Sequence, residues 1–200
     1  MDLEVSQRGK IRERIIRVLL NDPIGLSKYR IWKNTNASFS WVHKYLKKLE
    51  EMGFISGTKV IDFNGLLHFW VNIRKIPEKM DYLIQNPIEL LNNVNLKYAV
   101  TTYKAENIVQ NYLFISRFDI YIEKKEFNIW NNILMNKGLI GKGNFRLLID
   151  DNHVFYKMFN KQNLTLVSKP QLIVDLLLEG GVAVEAANYL INSMEGTYVQ

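Results

Sequence analysis

The chain has 200 residues, of which 48% are apolar and 23% charged, so it can bury a substantial core and is not an intrinsically disordered segment. The lack of cysteine excludes disulfides, thiolate metal sites and cysteine nucleophiles, and three scattered histidines (His43, His68, His153) argue against a zinc site. The chain opens on charged residues, not an apolar run, and no segment approaches the roughly 20 apolar residues of a membrane span. The expectation is a soluble cytoplasmic protein with no signal peptide and no membrane partner.

The net charge of +6 is unevenly distributed. Residues 1–80 carry 15 Lys and Arg against 8 Asp and Glu, whereas residues 81–200 carry 11 against 12. All the excess positive charge therefore lies in the first part, which points to a polyanionic partner for that part alone.

In chain order, residues 6–21 place Ile11, Ile15, Val18 and Leu19 at helical spacing, with Arg8, Lys10, Arg12, Arg14 and Arg17 around the rest of the surface. Asp22, Pro23 and Gly25 end this helix, and Ser27 is suited to cap a short second one, KYRIWKN. A turn at 34–37 leads to SFSWVHKYLKKLEEMGFI, residues 38–55. Ser38 can cap this third helix, whose apolar face carries Val42, Tyr45, Leu46 and Leu49. Ser40, Lys44 and Lys47 fall opposite, flanked by Trp41 and His43. Acids appear only in the last turn, as Glu50 and Glu51, where the helix macrodipole disfavours them. Gly53 is a natural stop. The next stretch, SGTKVIDFNGLLHFWVNI, reads as two strands around Asn64-Gly65, a strong hairpin signal.

Three helices followed by a hairpin is the order of a winged helix-turn-helix, and Ser40–Ile55 resembles the recognition helix of that superfamily. The matching pattern is a small polar residue, a hydrophobic residue two places on, then leucines and a glutamate before Gly53-Phe54-Ile55. The resemblance spans about residues 6–75 and implies a helix lying in the major groove of duplex DNA. Ser40, His43, Lys44 and Lys47 would then reach base edges, Trp41 would pack on sugar or a thymine methyl or else be partly core, and Ser38 would join the DNA-binding set at the helix start, while Lys28, Arg30 and Lys59 would hold phosphates. The alternative for the same module is a winged helix used for protein contacts.

RKIPEKM and DYLIQNP, punctuated by Pro77 and Pro87, read as a connection. Beyond it, helices are expected near 88–93, 103–111, 127–136, 170–178 and 184–194. Strands are expected near 117–123, 144–149, 154–159 and 164–167. The predicted fold class is thus α/β (α+β): a winged helix-turn-helix at 1–80 and a separate α/β domain at 81–200.

Two segments, YAVTTYKAENIVQNYL (98–113) and VSKPQLIVDLLLEGGVAVEAANYLI (167–191), resemble the C-terminal domain of AbiEi-type antitoxins. The matching residues are Gln171, Leu172, Asp175, Leu176, Gly180, Gly181, Glu185, Ala186, Ala187 and Leu190, while Val182 replaces the family's usual basic residue. The resemblance implies a repressor whose second domain counters a nucleotidyltransferase-like toxin. Packing accounts for the same residues one by one: Gly180-Gly181 as a tight link, and Ala186-Ala187 as a close helix approach.

Little else points to catalysis. Glu123-Lys124-Lys125 fits the second half of a magnesium-dependent nuclease motif, with Glu106 or Asp119 as the further acid it requires. Asp150-Asp151-Asn152 reads as a turn, and Gly138–Gly143 lacks the GK[ST] ending of a phosphate loop. The expectation is a non-enzymatic DNA-binding transcriptional regulator, a repressor, without cofactor or metal and binding duplex DNA as a homodimer. The alternatives are an antitoxin acting mainly on a cognate toxin, and a nuclease using Glu123 and Lys125.

Overall fold

The computed structural model describes the chain from Asp2 to Tyr198, with side chains from Gly9 to Met194. Arg8 of the first expected helix lies outside those side chains. The architecture is mixed α/β, and contacts divide it into two compact units. One comprises Met1–Lys75, Lys169–Val174 and Asn188–Gln200; the other comprises Ile76–Ser168 and Asp175–Ala187. No described helix is long and apolar enough to cross a membrane.

The first unit opens with α1 (Asp2–Asn21), α2 (Lys28–Thr35) and α3 (Phe39–Glu51). Both short helices begin as their sequences suggest: the Ser27 hydroxyl accepts from the Arg30 amide, and the Ser38 hydroxyl accepts from the Trp41 amide. These caps satisfy amides that a helix N-terminus leaves without partners. Ile15, Ile16, Leu19, Leu46 and Leu49 are buried, so the apolar stripes of α1 and α3 both face the interior.

The hairpin after α3 is not where Asn64-Gly65 suggests. It is formed by β1 (Ile55–Ser56) and β2 (Lys59–Val60), paired in the register Ile55↔Val60 and Ser56↔Lys59. Gly57 leads the two-residue turn with φ +64°, a conformation glycine adopts without a Cβ clash. Asn64 and Gly65 instead lie in the first turn of a helix, α4 (Phe63–Ile73), where Asp62 accepts from the Gly65 amide. The apolar spacing of Phe63, Leu66, Leu67 and Trp70 is helical, all four are buried, and this periodicity prevails over the dipeptide's turn preference.

The second unit is built on a seven-stranded sheet. Its strands are β3 (Glu78–Ile84), β4 (Tyr98–Thr101), β5 (Phe118–Ile122), β6 (Gly138–Ile140), β7 (Phe145–Ile149), β8 (Phe159–Lys161) and β9 (Leu164–Leu166). The spatial order is β6-β3-β7-β5-β4-β9-β8, with β5∥β7 and β4∥β9 parallel and the other pairs antiparallel. Helices α5 (Pro87–Asn93), α6 (Thr102–Val109) and α7 (Phe127–Lys137) interleave with the strands. The connection expected around Pro77–Pro87 is thus largely strand β3, and the boundary expected at residue 80 falls inside it. The strand expected at 154–159 is instead a 3-10 turn at Asn152–Phe155, where Asp151 accepts from the His153 amide, followed by β8.

Gly143 approaches β3 so closely that a Cβ would sit 2.2 Å from the Tyr82 carbonyl oxygen. Backbone packing is therefore a sufficient reason for this glycine. The chain ends in α8 (Lys169–Glu179) and α9 (Val182–Tyr198), joined through Gly180 and Gly181 at φ +80° and +56°.

Candidate nucleic-acid interface and a buried polar site

On α3, Val42, Tyr45, Leu46 and Leu49 are buried, while Ser40, His43, Lys44 and Lys47 are exposed on the outward side. Lys28 and Arg30 are exposed at the start of α2, and Lys59 is exposed on β2. Ser38 is exposed, although its oxygen already serves the Trp41 amide. Trp41 is half-buried and stacks on Tyr45, with ring centroids 5.2 Å apart, so it is partly a core residue.

Lys28 Nζ lies 3.4 Å from His43 Nδ1. Both side chains are exposed, so the two groups stand side by side on the outward surface.

The two acids at the end of α3 have structural reasons to be there. Glu50 Oε1 accepts from the Gly57 amide at 2.6 Å, tying the helix end to the hairpin turn. Glu51 pairs with Lys47 at 3.9 Å across one helical turn, but both side chains are more than 60% exposed, so this pair contributes little.

In the second unit a polar row crosses the sheet that sequence reading did not assemble. Asp81, Arg146, Asp119 and Thr101 are successive cross-strand neighbours on β3, β7, β5 and β4. Arg146 forks onto Asp81, and Arg117 forks onto Asp119 while reaching Glu179 at 2.9 Å. Asp119 also accepts from the Thr102 hydroxyl, and Thr102 holds φ +47°, uncommon for a β-branched residue. Asp175 accepts from Thr101 Oγ1 at 2.6 Å and from Tyr121 Oη at 3.0 Å. Of these groups, Thr102, Asp119, Tyr121, Arg146, Asp175 and Glu179 line a cavity of about 180 Å³. Strand register brings them together, which no spacing along the chain announces.

The acids of the nuclease alternative are engaged elsewhere. Glu123 pairs with Lys97 at 2.9 Å and with Lys125 at 2.7 Å, and Glu106 accepts from the amides of Tyr112 and Leu113. No group of three or more acids or histidines suited to a metal is gathered among the described residues. Most residues of the antitoxin-like pattern are interior: Gln171, Leu172, Asp175, Leu176, Ala186, Ala187 and Leu190 are buried, and Glu185 is exposed.

Two carboxylates titrate below their usual range. The Arg146 hydrogen bond lowers Asp81, and hydrogen bonds from Lys125 and then Lys97 lower Glu123. A carboxyl depressed in the folded state contributes stability that is fully present above the unfolded value of about 4 and is lost as pH falls through the folded one. Urea unfolding between pH 6 and pH 2 should therefore show stability declining in acid, and Asp81→Asn or Glu123→Gln should make that decline shallower. Equal slopes in the wild type and both variants would locate the acid sensitivity elsewhere.

No family model matches this sequence, and neither does any curated protein or solved structure.

Proposed function

We propose that the first unit is a winged helix-turn-helix and that the protein is a DNA-binding transcriptional regulator acting as a repressor. The observation that carries this reading is the two-sided character of α3. One face is buried in the core, and the other offers Ser40, His43, Lys44 and Lys47 to solvent, with an acid, Glu51, only in the last turn, where it pairs with Lys47. A helix of this kind fits the major groove, where hydroxyl, imidazole and ammonium groups reach base edges. Lys28, Arg30 and Lys59 supply sequence-independent phosphate contacts that set the register.

Capture of genomic fragments by the full-length protein, followed by sequencing, should yield a defined site. Affinity for that site should fall with salt, with a log–log slope of about −0.9 for each phosphate contact. His43→Ala and Ser40→Ala should each relax base preference, by roughly 1–3 kcal/mol at the position read. Lys59→Ala should weaken specific and nonspecific DNA alike. If all three variants scale every sequence by one common factor, base readout by α3 is refuted.

A further inference from the structure

The cavity beside the polar row lies wholly within the second unit, and its walls follow from strand and helix periodicity. One wall is a face of the sheet. Lys79 on β3, Arg146 and Leu148 on β7, and Asp119 and Tyr121 on β5 share that face, being alternate residues of their strands and neighbours in register. The other wall is the C-terminal half of α8, where Asp175, Leu178 and Glu179 are spaced to lie on one side of the helix. Thr102, with its positive φ, completes the polar lining, and strain of this kind often accompanies a ligand site.

The fold uses Arg146 and Glu179 only in part. Arg146 gives Nε and Nη2 to Asp81, and Glu179 accepts from Tyr103 and Arg117 through Oε1. Arg146 Nη1 and Glu179 Oε2 stand 4.0 Å apart, too far for a hydrogen bond, and neither atom has a hydrogen bond among the described residues. Neither side chain is sealed from solvent: 16% of the arginine and 23% of the glutamate is exposed. A donor and an acceptor left side by side suit a ligand that carries an acceptor beside a donor.

The surrounding charges narrow the chemistry. Lys79 is exposed next to the Arg146 strand and adds a second cation on that wall. Glu179 is the last residue of α8, whose carbonyl end favours positive charge. An anion would meet the acids of α8 and β5, and a cation would meet Arg146 and Lys79; a zwitterion can face both without repulsion. The rest of the lining is apolar and partly open, with Ile76 78% and Leu178 38% exposed beside Pro77. At about 180 Å³ the cavity is below the roughly 300–1,000 Å³ of drug-sized ligands, so its occupant is small.

We infer that this cavity binds a free α-amino acid with an aliphatic side chain, its carboxylate accepting from Arg146 Nη1 and its ammonium donating to Glu179 Oε2. An α-amino acid carries both charges on one carbon, so the two can serve a donor and an acceptor this close together. Its side chain would cover Ile76, Pro77 and Leu178. The inference goes beyond the DNA-binding reading and does not rest on it.

The test is thermal unfolding of the full-length protein, without DNA, in the presence of L-leucine, L-isoleucine or L-valine. At least one of them, at about 10 mM, should raise Tm by about 2 °C or more. The single-charge analogues of leucine, 3-methylbutylamine and 4-methylpentanoate, should each do far less. Calorimetric titration of the stabilising amino acid should show Glu179→Gln binding about tenfold or more weakly, because the amide keeps an acceptor but not the charge that the ammonium meets. Lys79→Ala changes an exposed side chain, and it too should bind more weakly; it decides the matter if Glu179→Gln does not fold. No shift with any of the three amino acids, or an equal shift with a single-charge analogue, would overturn the proposal. Unchanged binding by folded Glu179→Gln, or by Lys79→Ala where the first variant does not fold, would overturn it as well.

Discussion

Replacing Glu13 by alanine should destabilise the protein by about 3–5 kcal/mol, the usual loss when one partner of a buried charge pair is removed. Glu13 is 7% exposed, and its Oε2 accepts from Arg74 Nη1 at 2.8 Å and from Trp70 Nε1 at 3.2 Å. The side chain of Arg74 has no exposure, so the substitution leaves a cation in the interior without its carboxylate. It also strands the indole N–H of a fully buried tryptophan. Arg17 stands over the Trp70 ring at 4.9 Å and donates to Gln171, so the disturbance extends along a connected interior. Against a total stability of order 5–15 kcal/mol this is a large fraction. Glu13→Gln keeps one carbonyl acceptor and should lose clearly less. Urea unfolding followed by tryptophan fluorescence measures both, and a loss below about 1 kcal/mol for Glu13→Ala would show that the pair is dispensable.

The bond from Arg17 to Gln171 also shows what a reading confined to residues 1–80 misses. The first unit contains Lys169–Val174 and Asn188–Gln200, so a fragment ending at 80 lacks a polar partner of a buried arginine. DNA-binding tests therefore belong on the whole chain.

The legible parts of the fold are those fixed by local rules. Serine caps at 27 and 38, the apolar stripe of α3 and the isoleucine- and aromatic-rich run of β5 could each be read within a dozen residues. Three misreadings have physical causes. Asn64-Gly65 mimics a hairpin turn, but it follows Asp62, which captures the Gly65 amide as a helix cap. Strand β3 alternates weakly, burying Tyr82 and Ile84 while exposing Leu83, and the prolines near its two ends lie outside it without breaking it. Strand β6 has three residues and no apolar residue facing inward, leaving Leu139 and Ile140 exposed. For the candidate site, helical periodicity suffices to place the exposed face of α3. The Asp81–Arg146–Asp119–Thr101 row depends on the register of four strands, which pairing decides and not spacing.

Asp175→Ala should be the other severe lesion, removing about 2–5 kcal/mol of stability at roughly 1–3 kcal/mol for each buried hydroxyl left unbonded. The carboxylate is 6% exposed and accepts one hydrogen bond from the Thr101 hydroxyl on β4 and another from the Tyr121 hydroxyl on β5, so one helix side chain bonds to two adjacent strands. Tyr121 is 1% exposed and Thr101 fully buried, which leaves neither hydroxyl easy access to replacement water. The neighbouring Leu176→Ala supplies a contrast. Leu176 is fully buried and apolar, so truncation leaves a cavity and should also lose about 2–5 kcal/mol. Asparagine separates the two kinds of damage at position 175. Its carbonyl can still accept one hydroxyl and its amide can donate to the other, so Asp175→Asn should recover at least half of what alanine loses. No amide or acid can rescue the cavity at 176. Urea unfolding of the three variants reads this directly. If asparagine proves as damaging as alanine, the site needs the negative charge itself and not two hydrogen-bond acceptors, and the assignment of Asp175 as a strand-bridging acceptor fails.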